Sequence, residues 1–314
     1  MKLILAPMEG VLDPPLRDLL GKIGGWDMAI TEFIRVSTTV FPDHVFYRFC
    51  PELHNNSKTL SGMPVRIQLL GNDPELVALN AQRAVELGSF GIDLNFGCPA
   101  KTVNRSMGGA ILLKDTQILY DIVKAVRDAV PDHLPVTAKM RLGYEDDCKA
   151  MDNAVAMYEA GASELAIHAR TKTDGYRPPA YWKKIKPIAD ALPINVIANG
   201  EIWTKEQAQQ CQIESGCEDI MMGRGALAVP NLAKVILGED KMPWNEVLKW
   251  LVEYSQYEVS LELVSYYPNR LKQWLTFLKL AYPEAQILFD QIKREKSRES
   301  ITNFVRENLE KIDN

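Results

Sequence analysis

A chain of 314 residues, 46% hydrophobic and 25% charged, is an ordinary globular polypeptide with room for one large core plus an appendage or for two medium domains; it is neither disordered nor fibrous. Its net charge of −5, from 36 Lys and Arg against 41 Asp and Glu, excludes nucleic-acid binding by bulk positive charge, though not by local basic patches. Five scattered cysteines without a Cys-x-x-Cys spacing build neither a disulfide framework nor a zinc cluster. The apolar start Leu3-Ile4-Leu5-Ala6 is stopped by Pro7, and no run of about 18 apolar residues follows. A soluble cytoplasmic protein without a metal centre or membrane span is therefore expected.

In chain order, β-rich runs read Leu3 to Met8, Ala29 to Phe33, Val65 to Leu70, Ile92 to Gly97, Val136 to Leu142, Glu164 to Arg170, Asn195 to Gly200 and Asp219 to Gly225. Helical spacing fills the intervals, as in Pro74 to Leu87, Gln117 to Val130, Asp152 to Ala160 and Lys205 to Ile213. Leu87-Gly88, Ala160-Gly161 and Ser215-Gly216 mark helix ends just before the next strand. Eight alternating βα units predict an α/β fold, a (β/α)8 TIM barrel, rather than an open doubly wound sheet. The second unit, Ser37 to Pro64, is the least regular and reads as a loop-rich insertion. After Met242-Pro243-Trp244 the strand signal vanishes, and Pro268 and Pro283 divide the remainder into a bundle of three or four helices. The expected domains are a catalytic barrel over 1–243 and an all-α domain over 244–314.

Chemistry in such a barrel sits at the C-terminal ends of the strands. Those ends carry Gln68, Asn95 followed by Cys98, Lys139 and Arg141, His168 and Arg170, and Asn199. Lys139 stands in an otherwise buried-type strand, so its ammonium needs an anionic partner, either a barrel carboxylate such as Asp93 or a bound anion. Asn199-Gly200-Glu201 and Gly223-Arg224-Gly225 follow the last two strands, where backbone amides and a helix start commonly cradle phosphate; the same glycines could merely shape turns. Phosphate there, with Lys139 and Gln68 across the rim, suits a flavin mononucleotide.

Ala6-Pro7-Met8-Glu9-Gly10, Asp93-Leu94-Asn95-Phe96-Gly97-Cys98-Pro99, Lys139-Met140-Arg141, His168-Ala169-Arg170-Thr171 and Asn199-Gly200-Glu201-Ile202 together resemble the tRNA-dihydrouridine synthases. The stretches Ile30 to Arg35 and Arg270-Leu271-Lys272-Gln273-Trp274 are most similar to the bacterial C-type members, which reduce uridine 16 of the tRNA D-loop. The resemblance implies bound FMN, with NADPH as reductant, and tRNA as the partner of a monomeric enzyme. It implies FMN contacts from Pro7, Met8, Glu9, Gln68, Lys139, His168, Asn199, Gly200, Glu201, Gly223 and Arg224. It further implies Cys98 as catalytic acid and RNA contacts from Arg35, Asn95, Tyr176, Arg270, Lys272 and Lys293. Two positions depart from the family pattern: Ala169 adds a methyl where Gly is usual, and Met107 precedes Gly108-Gly109 in a loop that relatives make richer in glycine.

Reduction of the uracil C5=C6 bond then places hydride from reduced flavin at C6 and a proton from Cys98 at C5. A thiol of ordinary pKa is roughly 97% protonated at neutral pH, which suits an acid rather than a nucleophile. The stretch Lys101 to Gly109 after Cys98 reads either as a lid or as a passive connector, and Lys293, Arg294, Lys296 and Arg298 either as phosphate contacts or as a solvated helix face. The competing expectation is a small-molecule FMN oxidoreductase of the dihydroorotate or dihydropyrimidine dehydrogenase type, which would share the site but not the helical tail. Residues 245–314 hold 10 Lys and Arg against 11 Asp and Glu, so any RNA contact must come from a few placed cations and a shallow salt dependence follows.

Overall fold

The computed structural model describes residues 1–257 and 266–313. Eight parallel strands, β1 (Leu3–Leu5), β2 (Met28–Arg35), β3 (Val65–Leu70), β4 (Ile92–Phe96), β5 (Val136–Gly143), β6 (Glu164–Thr171), β7 (Asn195–Asn199) and β8 (Ile220–Met222), pair in sequence order. The barrel closes through β1 on β8, with Ile4 opposite Met221. The expected (β/α)8 barrel is thus the observed architecture.

Strand periodicity explains how polar groups come to lie inside it. In β5, Val136, Ala138, Met140 and Leu142 belong to the large core between strands and helices, so Thr137, Lys139 and Arg141 point to the barrel axis. In β6, Leu165, Ile167 and Ala169 face out while Ala166, His168 and Arg170 face in. The same alternation turns Asp93 and Asn95 of β4 inward. Low in the barrel the axis is filled by Ile4, Met28, Ile30, Ala166, Ile197 and Met221 together with the ion pair Arg66–Glu164, and the polar side chains of the strand ends lie above.

Two expected strands are shorter than read. β1 stops at Leu5, so Ala6 to Glu9 form a rim loop, and β8 stops at Met222, leaving Gly223 to lead into the helix Arg224–Ala228. β2 instead runs on to Arg35, which places that residue at the strand's C-terminal end. Residues 37–64 are the least regular unit, holding one short helix, Asp43–Phe49, and a helical turn, Pro51–Asn55. The helix Pro14–Ile23 begins on an Asp13 side chain that accepts from the Leu16 amide at 3.0 Å, with prolines in its first turn.

Beyond the barrel the described helices are Trp244–Tyr254, Tyr266–Leu278, Pro283–Ile292 and Arg298–Asp313. Pro268 lies near the start of the described part of the helix Tyr266–Leu278, residues 258–265 before it being outside the described residues, and Pro283 opens the next helix. Trp274, Leu275, Ile301 and Val305 join the same continuous core as the barrel helices. Hydrogen bonds reinforce that contact: Tyr266 donates to Asp13, Tyr257 donates to Asp18, and Trp274 Nε1 donates to the Leu227 carbonyl at 3.0 Å. Among the described residues no helix is long and apolar enough to cross a membrane.

Candidate active site

The C-terminal ends of the strands enclose a cavity of about 430 Å³, within the range of small-molecule sites. Gln68, Asn95, Lys139, His168 and Asn199 line its inner part, one from each of β3 to β7. Pro7, Met8 and Glu9 line it from the β1 loop, Gly200 and Glu201 from the β7 loop, and Gly223 and Arg224 from the β8 loop. Cys98 and Tyr176 complete the expected residues in the wall. Arg35, Arg270, Lys272 and Lys293 lie outside it.

A hydrogen-bonded chain crosses the floor. Thr137 Oγ1 donates to Asp93 at 2.6 Å, Gln68 Nε2 donates to the other Asp93 oxygen at 2.6 Å, and Asn95 Nδ2 donates to Gln68 Oε1 at 2.8 Å. The Asn95 oxygen in turn accepts from the Gly97 and Cys98 amides at 3.0 and 2.9 Å. Asn95, expected only as an RNA contact, therefore also fixes the catalytic candidate. The Cys98 carbonyl accepts from Asn104 Nδ2 at 2.9 Å and from the Ala110 amide at 3.1 Å, so Lys101 to Gly109 is folded back onto Cys98 as part of its support. Burial pushes the Cys98 thiol above its ordinary range, and the nearby Glu9 carboxylate adds to the shift.

Lys139 donates to Asn199 Oδ1 at 3.1 Å, and the carboxylate of Asp93 is engaged by Gln68 and Thr137 instead. The barrel partner expected for Lys139 is thus only a distant counter-charge, because Asp93 belongs to the layer below. Burial, aided by the cation of Arg141, lowers the Lys139 ammonium to about 8. His168 is held neutral by burial and by four surrounding cations, with Arg141 first among them. Arg170 Nη1 stands 3.4 Å from His168 Nε2, and an arginine can only donate, so the His168 proton is assigned to Nδ1.

The β7 loop is set by its neighbours. Gly200 has φ +117°, and a Cβ there would stand 2.6 Å from His168 Cδ2, so only glycine lets the loop lie against the imidazole. Trp182 Nε1 donates to the Gly200 carbonyl at 2.7 Å. Glu201 adopts φ +58°, a left-handed conformation for a residue with a Cβ, and is held by Arg170, by Arg224 Nη2 at 3.4 Å and by Trp203 Nε1 at 3.1 Å. A Cβ on Gly225 would meet the Ile202 carbonyl at 2.1 Å, so the last two loops touch backbone to backbone.

One arginine from the strand pattern, Arg141, has a role that was not read from sequence. Arg141 donates to the carbonyls of Gly97, Thr171 and Gly175, each at 2.9 Å, tying the β4 and β6 loops together. Tyr176 rises from the β6 loop, 53% exposed, with the Arg141 and Arg224 guanidinia 5.3 and 4.7 Å from its ring centre. Ala169 does not crowd the site: it faces the outer core between inward-pointing His168 and Arg170. Met107 takes φ +54°, the conformation in which glycine carries no penalty.

Outside the cavity, Arg35 Nη2 lies 3.4 Å from the Thr102 carbonyl on the barrel rim. Arg270 is turned onto the barrel, its Nε 3.3 Å from Asp13 and its Nη1 on the Gly10 carbonyl. Lys272 donates to the Glu295 carbonyl at 2.9 Å, and Lys293 pairs with Asp290 at 2.8 Å. Arg298 also turns inward, donating to the Tyr257 carbonyl at 2.7 Å. Phe277 lines the cavity from the C-terminal helices and was missed; Leu271, Trp274, Leu275 and Leu278 form the core-facing stripe of its helix, and Phe277 falls off that stripe.

For a flavin nucleotide the donor set fits. The Lys139 ammonium, whose one hydrogen bond among the described residues is to Asn199, and the cation of Arg224 both reach the cavity wall, and Gly223 and Gly225 on either side of that arginine carry no side chain to block it. Among the described residues no group of three or more His, Cys, Asp or Glu side chains is gathered as metal ligands.

A closed parallel barrel whose strand ends converge on one polar cavity defines the class as a TIM-barrel protein with its site at the C-terminal mouth. Residues 4–308 match the family model described as dihydrouridine synthase (Dus), and the chain belongs to that family. It is 52% identical to the tRNA-dihydrouridine(16) synthase of Shewanella oneidensis over 306 residues, covering 97% of each chain. It is 52% identical over 297 residues to the enzyme of that name from Vibrio cholerae, covering 93% of this chain and 91% of the relative. The barrel is also similar to a solved structure of 2-naphthoyl-CoA reductase with 2-naphthoyl-CoA, with a TM-score of 0.58 at 11% identity over 75% of this chain and 50% of the other; at that identity the likeness concerns the fold alone.

Proposed function

We propose that this protein reduces uridine 16 in the D-loop of tRNA to 5,6-dihydrouridine, with FMN bound in the barrel cavity and NADPH as the reductant. The observation that carries the reading is the meeting of a protonated Cys98 thiol and the Lys139 ammonium in one cavity of a dihydrouridine synthase family member. The names of the curated relatives support position 16.

FMN would supply the hydride for C6 of the uracil. Gln68, Lys139, His168 and Asn199 would hold its ring, and Gly200, Glu201, Gly223 and Arg224 its phosphate side, with Pro7, Met8 and Glu9 forming the remaining wall. Lys139 stabilises negative charge on the bound group, because an ammonium with one protein hydrogen bond has donors to spare. Cys98 keeps its proton on Sγ at neutral pH and delivers it to C5. Arg141 and Asn104 hold the loops on either side of Cys98 so that Sγ faces the cavity wall.

A stacked uridine must be extruded to enter, at a cost of a few kcal/mol, which contacts remote from the base offset. Tyr176 and Arg35 at the rim and Asn95 on the cavity floor are assigned to the target nucleotide and its neighbours, and Lys272 and Lys293 to the phosphates of the tRNA lying over residues 244–314, which act as the RNA-binding domain. Arg270 would meet RNA only from its position against Asp13.

The test is direct. Purified protein should be yellow, its NADPH-reduced flavin should be reoxidised by unmodified tRNA but not by free uracil or orotate, and tRNA from a strain lacking the protein should have uridine in place of dihydrouridine at position 16. Reoxidation by orotate with no response to tRNA would establish a small-molecule flavoenzyme instead.

A further inference from the structure

We infer that Phe277, a residue of the C-terminal helices, belongs to the cofactor site, covering the end of the cavity formed by Gly223, Arg224 and Gly225 and retaining a flavin nucleotide there by excluding water from its phosphate. The inference rests on the reading of this cavity as an FMN site and names a binding residue on the tail for it.

Among the described residues that line the cavity, every other one comes from the barrel, at or before Gly225. Phe277 reaches the cavity because its helix, Tyr266–Leu278, packs against the helix Arg224–Ala228 that follows β8. That packing is pinned by the 3.0 Å bond from Trp274 Nε1 to the Leu227 carbonyl, one turn before Phe277. Further back, Arg270 and Tyr266 tie the same helix to Asp13 and Gly10 beside the β1 loop. The helix is thus fastened to both rim segments that flank the phosphate side.

Trp274, Leu275 and Leu278 are fully buried in the common core, whereas Phe277 stays partly accessible while lining the cavity. A ring in that position displaces water, and a drier wall strengthens the attraction between a bound phosphate and the Arg224 guanidinium. The tail thus contributes one wall residue to a site otherwise lined by the barrel.

Fluorescence titration of flavin-stripped, full-length protein tests this, with FMN and riboflavin as the two probes. Phe277→Ala should weaken FMN roughly tenfold and riboflavin, which lacks the phosphate, much less; Phe277→Leu should recover most of the FMN affinity. If Phe277→Ala fails to fold, as judged by thermal unfolding, Phe277→Leu against Phe277→Gln makes the same comparison between side chains of similar size and different polarity. Unchanged FMN affinity together with a raised KM for tRNA would make Phe277 an RNA contact and overturn the inference. A wild-type protein that binds neither probe would overturn the functional reading itself.

Discussion

The backbone amide of Cys98 donates to the side-chain oxygen of Asn95 over 2.9 Å, joining the proposed acid to the same amide that steadies Gln68. Asn95→Ala removes that acceptor, and misplacement of a reacting group by about 1 Å can cost roughly 100-fold in rate. Single-turnover reduction of tRNA by the pre-reduced variant should slow by about that factor while the flavin stays bound. A normal rate with only a raised KM for tRNA would confine Asn95 to RNA contact.

Cys98→Ala should remain yellow and lose dihydrouridine formation on tRNA. In the wild type the thiol lies above its ordinary range, so the donor form persists through neutrality and is lost only as pH rises into the alkaline range. Single-turnover rates should therefore be flat from about pH 6 to 8 and fall above. A rate climbing through neutral pH would mark a thiolate nucleophile instead.

The Lys139 ammonium, brought by burial to about 8 from an ordinary 10.5, makes the folded chain bind fewer protons than the unfolded chain between those values. Its burial cost is fully present below about pH 8 and is relieved as pH climbs toward 10.5. Lys139→Met should accordingly raise the stability of the flavin-free protein at neutral pH, on the order of 2 kcal/mol, while weakening FMN. Denaturant unfolding and FMN titration of the same variant check both halves; a destabilised variant would show that the Asn199 bond outweighs the cost of burial.

Gly200→Ala places a methyl 2.6 Å from His168 Cδ2 at a φ of +117°. The loop must move away from the imidazole, and FMN affinity should fall at least tenfold with a lowered melting temperature. Met107→Gly acts in the opposite sense: at φ +54° and 55% exposure, removal of the side chain should stabilise the fold by up to about 1 kcal/mol without touching activity. Thermal melts of the two variants should move in opposite directions.

Binding of tRNA should show a shallow dependence on log salt. Arg270 is engaged with Asp13 and Arg298 with the Tyr257 carbonyl, so these two guanidinia are held by protein and not left to phosphates. A slope of the size expected for ten or so phosphate contacts would reveal a much larger interface.

The barrel was legible because eight β-rich runs alternate with helical spacing, and polar residues in those runs could only point to the axis once the outward positions were seen to be apolar. Gln68, Asn95, Lys139, His168 and Asn199 follow from that alternation, since inward positions meet at the strand ends, whereas Cys98, Tyr176, Glu201, Gly223 and Arg224 stand in the loops beyond and came from loop position and resemblance. Contacts between distant segments were not legible. Nothing local in Arg270 tells that Asp13 lies opposite, nor in Phe277 that the helix after β8 brings it to the cavity. Nor could the sequence decide between the two partners open to Lys139: Asp93 pairs in register with Thr137, which puts the carboxylate one layer lower.

Beneath the cavity, where Ile4, Met28, Ile30, Ile197 and Met221 meet the polar side chains of Arg66, Asp93, Thr137 and Glu164, lies a void of about 10 Å³, at the lower limit for a single water molecule. On the proposed reading Cys98 would be reprotonated through the mouth, the opening that a docked nucleic acid would cover. As the proposed acid, Cys98 would then act as a single stored proton, loaded in the open enzyme, spent once under the substrate and reloaded after product leaves.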